Sequence, residues 1–287
     1  MYGNIVVAYD DSECSRAALL ESSHWIKRHG GRAALVYSVF FDAEELVIDP
    51  DRSEKRFELA RKICYQMQEK VSAELGLKGD LDALIYEGEP HEVLVKVATA
   101  RHADLIAIGT HGRKGLKKLF LGSVTSRVIV SAPCDVLTVK KPCSNCTGKY
   151  ASILVSFDGS EFSKKALIRA CELAKIDGSE IRVFYVIPRY EEMIEFISSS
   201  SIKENLRRDA ENIVEKTKTI AAEQGVKIQT EVAEGDEAEK IIEKAKELKS
   251  DLIVMGTHGW KSINRAIIGS ITERVIIDAP CPVLIVK

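Results

Sequence analysis

With 287 residues and 41 Lys and Arg against 43 Asp and Glu, the chain has the length of two ordinary domains, and its formal net charge of −2 leaves no bulk attraction for nucleic acid or an anionic membrane. No apolar run reaches the roughly 18 residues of a membrane span, and the one that begins at Ile5 is short and has no basic stretch before it, so neither a span nor a secretion signal is predicted. Seven cysteines, odd and sparse, suit a reducing compartment, and a cytoplasmic protein is expected.

Apolar runs rich in β-branched residues recur at 5–9, 33–39, 81–86, 104–108 and 136–139. Most are near-continuous rather than alternating, as suits strands covered on both faces. Helical stretches are predicted between them at 12–29, after an Asp-Asp-Ser start able to cap a helix, and at 53–75, 89–101 and 123–131. A second set of strands is predicted at 153–157, 181–186, 227–233, 252–255 and 283–286. Strict alternation of strand and helix calls for a parallel sheet with right-handed crossovers. The predicted fold class is therefore α/β: two tandem doubly wound domains, each a five-stranded parallel sheet of order 3-2-1-4-5 with helices on both faces.

The duplication is written in a glycine signature. Gly109-Thr-His-Gly112 is followed after nine residues by Gly122-Ser123, and Gly256-Thr-His-Gly259 after nine residues by Gly269-Ser270. The copies lie 147 residues apart (256 − 109). Asp104-Leu-Ile-Ala-Ile-Gly109 matches Asp251-Leu-Ile-Val-Met-Gly256, and Asn4-Ile-Val-Val-Ala-Tyr-Asp10 matches Ser152-Ile-Leu-Val-Ser-Phe-Asp158. Such a period is far too long for a solenoid unit and right for a domain. Domains are assigned to 1–141 and 151–287, joined by a linker over 142–150. That linker holds Cys143 and Cys146, a lone C-x-x-C without the second ligand pair of a structural zinc site; it is read as inert, with a redox clip or a site completed by another chain as the alternative. The other five cysteines are read as small buried apolar residues.

In a doubly wound sheet ligands bind beyond the carboxyl ends of the strands where strand order reverses, which selects the ends of strands one and four. Asp10 and Gly109 are expected to meet there, as are Asp158 and Gly256. Gly109 and Gly112 allow close backbone approach, and Gly122 opens the fourth helix, whose N–H groups and positive dipole end favour a phosphate. The Ser123 and Thr125 hydroxyls are further donors, with Ser270 and Thr272 as counterparts. Asp10 and Asp158 are read either as acceptors for an adenine amino group or ribose hydroxyl or as helix caps, and one carboxylate can do both. His111 and His258 are placed in the site as stabilisers of the loop backbone rather than as metal ligands or acid-base groups. Arg113, Lys114, Lys117 and Lys118 add charge to the first loop, whereas the second reads Trp260-Lys-Ser-Ile-Asn-Arg-Ala-Ile-Ile268 with fewer cations.

At these residues the chain resembles a tandem universal stress protein of the ATP-binding type, each half matching one family domain over nearly its full length. Both halves fit the family's adenine-nucleotide signature G-x2-G-x9-G-(S/T). The resemblance implies that Asp10 and Asp158 contact the base and that Val39 and Val186 line the adenine pocket. It implies that the glycines hold the phosphates together with Ser123-Val124 or Ser270-Ile271, and that the ligand is ATP, or AMP or ADP, with Mg or Mn on its phosphates. It also implies pairing of the last strands, 136–139 with 283–286, as a pseudo-dimer within one chain, with a further homodimer left open.

The leading functional reading is an adenine-nucleotide-binding stress-response or signalling module with slow or no hydrolysis, acting on a protein partner the sequence does not identify. No G-x(4)-G-K-(S/T) loop, G-x-S-x-G elbow or H-E-x-x-H helix is present, and neither a catalytic residue nor a metal ligand is assigned. The alternatives are an ATP-hydrolysing enzyme of the adenine-nucleotide hydrolase-like group, which needs a base beside the γ-phosphate, and a scaffold that binds no nucleotide.

Overall fold

Runs such as Ile5-Val6-Val7 and Ile253-Val254, shut off from solvent on both sides, can be stable only as the middle layer of a sandwich of helices around a sheet. A computed structural model describes residues 2–40, 50–77, 79–112, 120–140, 147–188, 200–258 and 268–287. The chain divides into two units, Met1–Lys149 and Tyr150–Lys287.

The first unit runs β1 (Asn4–Ala8), α1 (Glu13–His29), β2 (Arg32–Val39), α2 (Pro50–Leu75), β3 (Leu81–Glu87), α3 (Pro90–Ala100), β4 (Leu105–Gly109), α4 (Ser123–Ser131) and β5 (Asp135–Val139). Its strands are parallel in the order β3-β2-β1-β4-β5. The second unit runs β6 (Ser152–Ser156), α5 (Glu161–Asp177), β7 (Glu180–Pro188), α6 (Ser200–Glu223), β8 (Ile228–Gly235), α7 (Glu237–Glu247), β9 (Leu252–Gly256), α8 (Ser270–Asp278) and β10 (Val283–Val286). It repeats the order as β8-β7-β6-β9-β10, again parallel. In each unit the first two helices pack together and the last two pack together, so the sheet is covered on both faces. No helix among the described residues is long and apolar enough to cross a membrane.

The repeated aspartate before β4 and β9 has a structural task. Asp104 Oδ2 accepts the N–H groups of Gly3 and Asn4, both at 3.0 Å, and Asp251 Oδ2 accepts those of Ala151 and Ser152, both at 2.9 Å. The clasp satisfies backbone donors ahead of the central strand and sets its register, which pairs Ile5 with Leu105 and Ile153 with Leu252.

Of the segment read as a linker, Gly148 and Tyr150 are buried, while Thr147 and Lys149 are exposed. Gly148 sits so close to α1 that a Cβ would lie 2.2 Å from the His24 carbonyl oxygen, and its own carbonyl meets His29 Nε2 at 2.9 Å. Tyr150 is buried, and its N–H donates to Asp177 Oδ2 at 3.2 Å. Cys143 and Cys146 lie outside the described residues. Of the other five cysteines, Cys64 and Cys171 are buried as expected, whereas Cys14, Cys134 and Cys281 are half-buried, which corrects the reading of all five as core residues. Burial pushes the Cys171 thiol up to about 11, leaving it protonated and unreactive.

Removal of the clasp carboxylate should be measurable. Asp104→Ala is expected to cost the first unit about 1–2 kcal/mol in urea unfolding, and Asp104→Asn, which keeps an acceptor, less than that. Identical midpoints for wild type and Asp104→Ala would show that the strand start is held by other means.

Candidate functional site

Parallel pairing of β1 with β4, Val7 opposite Ala107, delivers both chains to the same edge of the sheet. Past β1 the backbone turns sharply through Asp11, which adopts a positive φ of 67°, before Ser12 caps α1 by accepting the Ser15 N–H at 3.2 Å. Asp10 Oδ1 accepts the Ser12 N–H at 3.0 Å, so the carboxylate supports the turn one step ahead of the cap rather than capping the helix itself. Asp11 is held in place by Tyr9 Oη at 2.9 Å and by Arg16 Nη2 at 2.7 Å. Burial, reinforced by the Asp11 carboxylate, pushes the Tyr9 phenol well above its ordinary range, so it stays a neutral donor.

Past β4 the signature begins. A Cβ on Gly109 would lie 2.7 Å from Cys14 Cβ and 2.8 Å from the Cys14 carbonyl carbon, so this glycine exists to let α1 rest directly on the end of β4. A Cβ on Gly112 would lie 2.6 Å from Asp10 Oδ2, and one on Gly122 would lie 3.1 Å from the Thr110 carbonyl oxygen. None of the three has a positive φ, so close approach rather than unusual backbone geometry accounts for them. The loop is pinned by Gly122 N–H to Thr110 O at 2.9 Å and by Ser12 Oγ to His111 O at 3.3 Å. His111 Nδ1 pairs with Thr110 Oγ1 at 3.0 Å, while its Nε2 is buried without a partner.

The helices that follow the two signatures start without a side-chain cap, as α3 also does after Glu89. Ser12, Ser160 and Asp236 cap α1, α5 and α7 through their side chains. Helices α4 and α8 instead begin after Gly122 and Gly269, which have no side chain to offer, and their first-turn N–H groups have no side-chain cap.

In the first unit these parts enclose a cavity of about 860 Å³. Asp10, Val39, Gly109, His111, Gly112, Gly122, Ser123, Val124 and Thr125, all nominated from sequence, line it. The second unit repeats the frame: Asp158 Oδ1 accepts Ser160 N–H at 2.9 Å, and a Cβ on Gly256 would lie 2.6 Å from Phe162 Cβ. Val186 ends up buried near the end of β7, and Ser270, Ile271 and Thr272 form the first turn of α8. His258 is 8% exposed, with its ring 5.6 Å from that of Phe162. Gly259, and the loop cations Arg113, Lys114, Lys117 and Lys118, lie outside the described residues.

The profile of the universal stress protein family matches residues 1–140 and again 149–287. The chain belongs to the universal stress protein family. A universal stress protein of Methanocaldococcus jannaschii is 40% identical over 144 residues, covering 48% of this chain and 82% of the relative. One from Thermus aquaticus is 38% identical over 144 residues, covering 49% of this chain and all of its own length. Over the whole chain, the crystal structure of a universal stress protein from Archaeoglobus fulgidus superposes with a TM-score of 0.75 at 21% identity, covering 100% of this chain and 98% of its own, which shows the shared fold.

Within this universal stress protein frame two expectations need revision. The close backbone approach that Gly109 and Gly256 allow is made by helices α1 and α5. The Thr125 hydroxyl donates to the Gly109 carbonyl at 2.8 Å, and Thr272 Oγ1 to Gly256 O at 3.5 Å, so both tie the helix to the strand instead of offering their protons to a ligand. Residues that sequence reasoning missed also line the cavity, among them Ser38, Arg56, Leu59, Pro90 and Phe120. Ser38 and Pro90 had a usable signal in their places at the end of β2 and the start of α3. Arg56 and Leu59 had none, since nothing in a charged helix says which turn overhangs the sheet.

Packing at the strand ends predicts that Gly109→Ala and Gly256→Ala will each cost about 1–3 kcal/mol, because the displaced atoms are helix backbone that cannot rotate away. Urea unfolding of the two variants measures this, and wild-type stability in either would separate that glycine from helix packing.

Proposed function

We propose that the first unit binds an adenine nucleotide, ATP or its di- or monophosphate, as the ligand-sensing part of a stress-response or signalling module. The carrying observation is that an uncapped helix start and the glycines beside it face the same cavity as Asp10 and Val39. The N–H groups at the head of α4 are suited to a phosphate by their orientation and by the partial positive charge of the helix end. Val39 supplies apolar contact for a base, and Asp10 supplies an acceptor for its amino group or for a ribose hydroxyl. Gly112 lets the Asp10 carboxylate lie where a Cβ would come within 2.6 Å of its Oδ2, which keeps that acceptor beside the glycine loop.

A divalent ion, Mg or Mn, would enter on the phosphates. Such an ion would be carried mainly by phosphate oxygens and water. The second unit is proposed as a second adenine-nucleotide site built from Asp158, Val186, Gly256, Gly259, Gly269, Ser270 and Ile271. Occupancy would alter the surface offered to a protein partner, with hydrolysis slow or absent. One observation favours a second reading, an ATPase: His111 lines the cavity and its Nε2 is buried without a partner, so it would need a movement of the loop to reach a water.

A proline at the first position of α4 tests the phosphate role cleanly. Ser123 follows Gly122, whose φ of −59° and ψ of 139° accept a following proline, so Ser123→Pro removes one N–H and one hydroxyl while preserving the helix. Calorimetric titration of MgATP into nucleotide-free protein should show first-site affinity reduced about tenfold or more, with the unfolding midpoint unchanged. Unchanged affinity would remove the phosphate from the head of α4. Phosphate release measured on the same samples separates the two readings: brisk turnover that His111→Ala abolishes while binding persists would put the ATPase first.

A further inference from the structure

Charge balance in the cavity points to a residue outside the signature. Asp10 already places a carboxylate there, and a nucleotide polyphosphate would add several more negative charges. A helix N-terminus offsets only about half an elementary charge and a divalent ion about two more, so a bound polyphosphate still favours a side-chain cation nearby. Arg56 is the one Lys or Arg among the described residues that line the cavity. It stands on the first turns of α2, half-buried, one turn ahead of the buried Ala60.

The second unit lacks this cation. Buried Ala60, Cys64 and Val71 on α2 correspond to buried Ala210, Val214 and Ala221 on α6, each pair separated by 150 residues (210 − 60, 214 − 64, 221 − 71). The helices themselves begin at Pro50 and Ser200, the same separation. Arg56 therefore corresponds to Leu206. The neighbouring cations of α6, Arg207 and Arg208, are largely exposed and pair along the helix with Glu211 and Glu204.

We propose that Arg56 recognises the phosphates of the bound nucleotide, making the first unit selective for phosphorylated ligands, and that Leu206 leaves the second unit without that selectivity. The inference rests on the nucleotide reading above. A guanidinium presents a fork of donors matched to phosphate oxygens, and its attraction is strengthened where cavity walls exclude water.

Calorimetry with ATP and with adenosine on the full-length chain tests it, the first site being the one whose ATP binding Ser123→Pro weakens. Arg56→Gln should lower first-site affinity for ATP about tenfold and leave adenosine within twofold, and Arg56→Lys should recover part of the loss. Leu206→Arg should raise the preference of the second site for ATP over adenosine. Equal weakening of ATP and adenosine in Arg56→Gln would assign the residue to the base or to the fold and overturn the proposal, as would unchanged affinity for both. A wild-type chain that binds neither ligand overturns the nucleotide reading and this inference together. A wild-type chain that binds both alike at the first site overturns this inference alone.

Discussion

The carboxyl end of each sheet depends on a missing Cβ. Helix α1 comes down on β4 where a methyl group on Gly109 would meet the backbone of Cys14 and Ser15, and α5 does the same on β9 at Gly256. Because α1 can sit that low, Ser15 Oγ reaches the Asp10 N–H at 3.3 Å and Ser12 Oγ reaches the His111 carbonyl at 3.3 Å. The first bond holds the turn after β1 to its own helix and the second joins it to the loop after β4, where Asp10 faces Gly112. With a larger residue at 109 the helix would ride higher, and the two loops would lose the Ser12–His111 hydrogen bond between them and their common wall. The first glycine of the signature thus acts on a ligand only through the frame it permits.

Side chains cap the starts of α1, α5 and α7, whereas α3, α4 and α8 go without such a cap. Ser12, Ser160 and Asp236 satisfy first-turn N–H groups within the chain, and Asp236 in turn holds Arg274 at 2.7 Å. The Arg274 guanidinium keeps the Asp236 carboxyl below the ordinary carboxylate range, as expected of an acceptor used several times over. A glycine in the cap position of α4 and α8 forgoes only a few tenths of a kcal/mol of helix stabilisation relative to the best capping side chains. That the omission recurs at the same place in both units argues for a common cause. Helix starts left without a cap where strand order reverses are what a phosphate-binding frame requires.

The strand order was legible because its cause is local: near-continuous apolar runs alternating with helical stretches leave few topologies open. The duplication was legible because it is written in the residues themselves. The site was legible as a list of positions but less so as a set of roles. Spacing alone cannot tell a glycine that faces a ligand from one that faces a helix, and Gly109 is the second kind. Thr125 looks from sequence like a donor in the first turn of a helix, yet its hydroxyl turns inward to the Gly109 carbonyl because that acceptor lies within 2.8 Å. Ser12 takes the cap that Asp10 was thought able to take, since the turn needs Asp11 at positive φ and so moves the helix start on by two residues. Arg56 was invisible because its place over the cavity depends on the phase and tilt of a 26-residue helix, which no short motif encodes.

The two units share a backbone frame and diverge in how they hold it. At the turn after the first strand, the second unit uses Gly159 at a φ of 87°, a conformation that costs glycine little. The first unit puts Asp11 there and offsets the strain with the Tyr9 hydroxyl and the Arg16 guanidinium, where the second unit has Phe157 and Lys164. Arg16 is half exposed, so its ion pair is worth at most about 1 kcal/mol, comparable to the strain of one residue at positive φ, and the exchange is close to neutral for the fold. Substitutions neutral for the fold are free to differ in what they present to a ligand. The turn beside Asp10 carries three interacting side chains where that beside Asp158 has a glycine, and a guanidinium lines one cavity where the other helix carries Leu206. Duplication of the frame with divergence of its lining is what would let one chain answer two nucleotide states rather than one state twice.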